Sequence, residues 1–479
     1  MHRLTIIAAV ALSACPTACA DRDQASPPSG ADLAIRNVSV IDVDRGQTLE
    51  PQTVWIGEGR ILAITGDLAD LAAFDGQIID GGGEFLIPGL WDMHVHALSE
   101  PEDAIARILP LFVAHGVTGV RDMGSVVPGL VETRARLADN PALVSPEIVA
   151  AGPLLDGQAL PWYGDLPLVL ETPADVRPAL DALAASGVDF FKVYDGLSPA
   201  VYAEIMTQAA TLDRPVAGHV PRAISVVDVA AAGQQTIEHL TPSAFSVCVS
   251  DPQAYFDRSI QTRFSGDYDG YFQNILDWFE EAGVSPECDA AIAALAASET
   301  RLTPTLIMEV FDSPGIDIAA LAYMPAGGRE WCETNLRGID AADAGLRDEA
   351  HAAFLEFAGR LQAAGVALLA GSDTPNFCNV PGPSLHWELE RLAASGLGAG
   401  DVLRMATREA AAIARRPDYG VVEAGAAASL VLLSANPLED IRAVGSITHV
   451  IHDGRVHDRT ALDAMLAEAA AAAETPATP

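Results

Sequence analysis

The middle of this chain alternates short apolar segments with stretches of helical spacing, and that alternation restricts the fold more than any other feature. Between about 85 and 416, eight segments read as strands: "LIPGLWDMHVH", "GVTGVRDM", "EIVAAGP", "DFFKVY", "PVAGHV", "QTIEHL", "LTPTLIM" and "VALLAGSD". Amphipathic stretches such as 175–186 and 348–364 join several of them. Strands that alternate with helices pair in parallel and are covered by those helices, so the pattern predicts an α/β fold of the TIM type, a (β/α)8 barrel. Chemistry in such a barrel sits at the C-terminal ends of the strands.

The two ends of the chain read differently. "LAIRNVSVIDVD", "TVWIGEGRILAI" and "QIIDGGG" alternate apolar and polar residues between Gly-rich turns, and "ASLVLLSANP" and "ITHVIHDGRVHD" repeat that pattern near the C-terminus. They predict a small β-sandwich domain built from both chain ends, residues 31–84 and 418–460, flanking a barrel of 85–417. The Ala-rich segment 461–479 is expected to be a frayed helix with a disordered end. Two connections are too long for plain turns. One, spanning 243–300, carries Tyr255, Phe256, Phe264, Tyr268, Tyr271, Phe272, Trp278 and Phe279; the other runs over 309–345. Both are expected to be long loops over the barrel mouth, either a substrate lid or else an oligomer contact or surface padding.

The first 30 residues precede this architecture. His2 and Arg3, an apolar run over 4–12 and then Leu12-Ser13-Ala14-Cys15 have the shape of an export signal, too short for a membrane span. The Leu-Ser-Ala-Cys end resembles a lipobox, which implies lipidation of Cys15, a flexible tether over 21–30 and an exported periplasmic or outer-membrane lipoprotein. An ordinary cleaved signal is the alternative. The formal charge of −37, from 65 acids and 28 bases, excludes the basic footprint that nucleic acid or an anionic membrane surface requires. Membrane contact is therefore expected only through a lipid anchor. Export permits disulfides among Cys248, Cys288, Cys332 and Cys378, with connectivity open.

Six residues at strand ends have metal-binding chemistry. His94 and His96, two apart on one strand, direct both imidazoles to the same face. Lys192 ends "DFFKVY", His219 lies in "VAGHV", His239 in "TIEHL" and Asp373 in "LLAGSD". One buried histidine is ordinarily a hydrogen-bonded core residue; six suitable side chains on five strand ends are not explained that way. Lys192 is also the one lysine among the 28 basic residues, the others being arginine. A surviving lysine marks either a place where guanidinium cannot serve or a chance survivor of a bias towards arginine. Tyr194 shares the strand face of Lys192 and could hydrogen-bond a substrate carboxylate or an oxyanion. Arg222 could pair with a substrate carboxylate but reads better as a solvated helix-start residue, and His115 as a structural one at the opposite end of the barrel.

"PGLWDMHVH", "GVTGVRDMG", "FKVYDG", "GHVP", "EHL", "GSDTP" and, near the end, "NPLEDIRAVGSITHVIHDGRV" together resemble the amidohydrolase superfamily, in its prolidase-like and imidazolonepropionase-like branch. The resemblance implies two divalent ions, zinc by preference. His94, His96 and Asp373 would hold one, and His219 and His239 the other. Lys192, carbamylated by carbon dioxide, would bridge them. It further implies a metal-bridging hydroxide and Asp373 as the proton carrier. "VVEAGAAASLVLL" departs from the turn usual in relatives, far from these residues. The expected activity is hydrolysis of a peptide-like C–N bond in a dipeptide or N-acyl amino acid. A lactone, cyclic amide or phosphoester is the second expectation, and a non-catalytic lipid-tethered binding protein the third. A homo-oligomer is compatible with all of them.

Overall fold

The computed structural model describes residues 27–66, 71–72, 74–99, 102–140, 142–159, 164–240, 244–309 and 316–474. The export segment, Cys15 and most of the tether lie outside the described residues. Among those described, no helix is long and apolar enough to cross a membrane.

Strands from the two chain ends join in one nine-stranded sheet. Its seam is the antiparallel pairing of Phe85–Pro88 with Leu430–Leu433, and Leu33–Asp42 lies on the other side of Phe85–Pro88. The run Leu430–Leu433 is apolar throughout because both faces are buried. Successive strand residues point to opposite sides, so Leu430 and Leu432 fill a core with Ile35, Val54 and Leu86. Val431 and Leu433 reach the main core instead, with Ile87 and Phe112.

"LIPGLWDMHVH" is two strands rather than one. Phe85–Pro88 belongs to the terminal sheet, and Leu90–Val95 starts the parallel part of the molecule. The break falls at Gly89, where a Cβ would stand 2.0 Å from Thr118 Oγ1. Leu90–Val95, Val117–Asp122 and Glu147–Ala150 form a three-stranded parallel sheet. A six-stranded parallel sheet contains Leu154–Asp156, Phe191–Val193, Val216–Gly218, Thr236–Glu238 and Arg301–Thr303, with Pro167–Val169 at its edge. "EIVAAGP" therefore ends early: the chain turns at Gly152, φ 74°, and resumes as Leu154–Asp156. "VALLAGSD" forms no continuous strand. Two isolated parallel bridges, Leu302 to Leu368 and Val95 to Thr374, place it between Arg301–Thr303 and Leu90–Val95.

The aromatic-rich connection is not a loop. It folds into the helices Pro252–Ser265, Tyr268–Gly283 and Pro286–Ala296, and the second connection contains Ala326–Asp340. Asp251, Asp267 and Ser285 cap the first three helices by accepting from backbone N–H groups. Phe279 packs on Phe354 and Trp278 on Phe357, both from Ala344–Ala363, with ring centroids 4.9 and 5.6 Å apart. Disulfides join Cys248 to Cys288 and Cys332 to Cys378. The Ala-rich tail is helical as expected, and its expected disordered end, 475–479, lies outside the described residues. Arg459–Ala473 is a helix capped by Asp458, and burial of Leu462, Ala469 and Ala473 holds it against the body.

Candidate metal centre

His94, His96, Lys192, His219, His239 and Asp373 converge at the ends of the parallel strands. The imidazoles form a chain of neighbours: His96 and His94 are 5.3 Å apart between centroids, His94 and His239 4.6 Å, and His239 and His219 4.9 Å. Asp373 Oδ1 lies 3.1 Å from His96 Nε2 and 3.4 Å from His94 Nε2. One ligand atom from each of His94, His239 and Asp373 falls within 4.8 Å of the others, which makes these three a candidate metal site. That trio takes a residue from each of the two expected histidine pairs, so the pairs are adjoining halves of one cluster. Lys192 is 1% exposed, and all of these residues except His94 line a cavity of about 580 Å3.

Hydrogen bonds behind the cluster set the histidine tautomers. Glu238 is an acceptor on all sides: Arg121 donates to Oε1 at 2.8 Å, Thr236 donates to the same oxygen, and His94 Nδ1 lies 2.9 Å from Oε2. His94 therefore carries its proton on Nδ1 and turns the lone pair of Nε2 towards Asp373. That Nε2 is buried without a hydrogen-bond partner. A lone pair facing a carboxylate oxygen is repulsive unless a cation lies between them, and the donor set suits a divalent ion. The other imidazoles are held likewise: His219 Nδ1 is 2.7 Å from Asp195, and His239 Nδ1 is 2.8 Å from Thr305 Oγ1.

Electrostatics favour metal-ready forms. Burial pushes His94 well below the usual imidazole value and His239 down to about 3, so both are neutral. Burial also lowers Lys192 to about 8, against the opposing pull of Glu238 and Asp373. For Asp373 burial works upward but is outweighed by His96 and His239, leaving the carboxyl at about 2. His239, Thr305 and Asp373 all have φ between 46° and 68°, a left-handed backbone uncommon for non-glycine residues and concentrated at functional sites.

Glu238, Arg121, Asp195 and Thr305 were not singled out from sequence. A visible signal existed for two of them. Arg121 is a cation inside the strand segment "GVTGVRDM", and Glu238 directly precedes His239; a buried charge of this kind requires a counterion. Asp92 was missed as well. It accepts from Ser372 N at 2.9 Å, from Ser372 Oγ at 2.6 Å and from His94 N at 3.2 Å, tying the first strand to the turn that carries Asp373. Replacing Asp92 with alanine strands these buried donors at roughly 1–3 kcal/mol each. The expected result is a lower denaturation midpoint, which Asp92→Asn, keeping an acceptor, partly restores.

Tyr194 lines the cavity with its ring 4.2 Å from that of His219. Arg222 is engaged rather than free, paired with Asp195 at 3.1 Å and lying 4.1 Å over the Phe256 ring. His115 is half-buried just before Val117–Asp122, Nδ1–H donating to Leu111 O at 2.8 Å.

Residues 85–261 match the model of the amidohydrolase family. The chain carries an amidohydrolase-family domain. Its superfamily assignment agrees with the motifs read from sequence. The chain is 29% identical over 202 residues to an adenine deaminase of Ruegeria pomeroyi, a match spanning 40% of this chain and 32% of that protein. It therefore covers about a third of the length of that relative. In architecture it is similar to bottromycin amidohydrolase, with a TM-score of 0.71 at 22% identity, covering 92% of this chain and 90% of the other. It is also similar to a Xaa-Pro dipeptidase with bound methionine in its active site, with a TM-score of 0.61 at 20% identity over 89% and 99% of the two chains. At such identities the likeness speaks for the fold.

Proposed function

We propose that this amidohydrolase-superfamily protein hydrolyses a peptide-like C–N bond in a dipeptide or N-acyl amino acid, using two divalent cations, zinc by preference. The observation that carries the reading is the buried His94 Nε2, without a hydrogen-bond partner, 3.4 Å from an ionised Asp373. His94, His96 and Asp373 would hold one ion, and His219 and His239 the second. Lys192, as a carbamate formed from its neutral amine and carbon dioxide with loss of a proton, would bridge them. When bound, such ions polarise a carbonyl and bring a water's pKa towards ~7.

The chain's own groups supply the rest. Glu238, Asp195 and Thr305 fix the imidazoles. Asp373 is ionised and faces the cavity, placed to take the proton of an attacking water and deliver it to the departing amine. The Tyr194 hydroxyl would donate to the oxyanion that forms on the carbonyl, or to a substrate carboxylate. In this reading the parallel strands close as a (β/α)8 barrel, with the bridges Leu302–Leu368 and Val95–Thr374 as its seam. The core around Ile35, Val54, Leu86 and Leu432 supports sandwich packing of the terminal domain, residues 31–84 and 418–460. The two disulfides support export to an oxidising compartment.

The test is amine release from a panel of dipeptides and N-acyl amino acids, with protein loaded in zinc and bicarbonate. Wild type is expected to release amine, and Asp373→Asn to lose at least ~10³-fold in kcat/KM, about 4 kcal/mol of transition-state stabilisation. No release from any member, with two metals verified per chain, would overturn the peptide reading in favour of lactones, cyclic amides or phosphoesters.

A further inference from the structure

A second cavity, of about 510 Å3, opens beside the first and shares His219, Trp331 and Phe377 with it. It belongs to the helical insertions: Tyr255, Phe256 and Ile260 come from Pro252–Ser265, Tyr271 from Tyr268–Gly283, and Trp331 and Ile339 from Ala326–Asp340. Its volume suits a small-molecule pocket, and aromatic walls suit planar apolar groups. Asp195, Ser259, Arg263, Glu309 and Asn335 add polar groups to this lining.

The boundary between the two cavities is built from a matched pair. Trp331 and Phe377 face each other at 6.0 Å between centroids and stay 47% and 38% exposed, unusual for large apolar side chains. Each directly precedes a cysteine, and Cys332 and Cys378 are bonded to one another. That bond ties the helix carrying Trp331 to the turn that follows Asp373. The Arg263 guanidinium also lies over the Phe377 ring, 4.2 Å from its centroid. The pair is thus anchored by a disulfide between the residues that follow it and by a cation over Phe377, at the edge of the candidate metal site.

We propose that the chamber is the specificity pocket of the enzyme, seating an aromatic or similarly bulky apolar group of the substrate while the scissile carbonyl lies at the His–Asp cluster. Trp331 and Phe377 are the residues that pass and grip that group. The inference rests on the amidohydrolase reading and adds the substrate class.

The experiment compares kcat/KM for N-acetyl-L-tryptophan and N-(2-naphthoyl)glycine, bulky on opposite sides of the scissile bond, with that for N-acetylglycine. Full-length protein is used, together with Ile260→Trp, which fills the chamber from a half-exposed position, and Trp331→Ala. Wild type is expected to favour at least one bulky compound by tenfold or more, and the bulky-to-small ratio to fall at least tenfold in both variants. An unchanged ratio in the two folded variants, or a wild-type preference for N-acetylglycine, overturns the proposal. If wild type turns over no compound, the N-acyl amino acid reading is what has failed. Calorimetric binding of the two bulky compounds then decides the chamber by itself. Binding that Ile260→Trp weakens at least tenfold upholds it, and absent or unaltered binding overturns it.

Discussion

Lys192→Ala is expected to abolish turnover, with a loss of at least ~10³-fold, because it removes the group proposed to join the two ions and the several kcal/mol they contribute. Loss alone does not distinguish a carbamate from a plain ammonium group, since a buried cation beside Glu238 and Asp373 would also be missed. Chemical rescue separates the two. The carbamate is an anion with two oxygens, so in the Lys192→Ala cavity a short carboxylate such as propionate should restore a measurable part of the activity. If the side chain worked as an ammonium, a short alkylamine would restore it and propionate would not. Carbon-13 NMR of wild type equilibrated with labelled bicarbonate gives a second readout, a carbamate resonance that the variant lacks. Rescue by the amine with no such resonance would overturn the bridging role.

The histidines and Lys192 were legible in the sequence because strand geometry is simple. Each ends a short apolar segment, and His94 and His96, two apart, share a face. Lys192 stood out because every other basic residue is arginine. The residues behind them were harder to see, since a supporting hydrogen bond depends on which strands become neighbours. Glu238 reaches His94 from a strand 144 positions away, and Asp92 reaches Ser372 across 280. No local pattern encodes such pairings. Arg121 was the available clue: a guanidinium 1% exposed in a parallel strand had to meet a carboxylate.

The helical insertions were misread for a different reason. Their length and aromatic content suggested loops, while the local signals pointed to helices. Asp251-Pro252 and Ser285-Pro286 place a capping side chain just before a proline at the first helical position, a recognised helix start. Conversely, "VALLAGSD" reads as a strand yet forms no continuous one, and is joined to its neighbours around the isolated bridges Leu302–Leu368 and Val95–Thr374. Apolar content marks a segment for burial; it does not say how many ladder hydrogen bonds the segment will find. At the turn carrying Asp373, Ser372 N donates to the Asp92 side chain, while Asp373 N still donates to His94 O of the neighbouring strand.

Two substitutions at Glu238 are expected to fail in different ways. Glu238→Ala leaves the Arg121 guanidinium, itself buried, without its carboxylate, and breaking a buried pair from one side costs about 3–5 kcal/mol. A large drop in denaturation midpoint should follow, visible even in metal-free protein. Glu238→Gln keeps the shape and one oxygen, which Arg121 and Thr236 can still use. Its amide NH2 then faces His94 Nδ1, which must accept rather than donate, and the proton moves to Nε2. An imidazole protonated on Nε2 cannot offer that atom to a cation. Glu238→Gln should therefore retain more stability than Glu238→Ala yet lose roughly 10–100-fold in metal affinity, the usual consequence of altering a ligand's hydrogen-bond partner. Competition against a zinc chelator measures the affinity, and denaturation of the metal-free proteins measures the stability. If Glu238→Gln binds zinc as tightly as wild type, then Glu238 serves only as the counterion of Arg121, and His94 Nε2 is not a ligand.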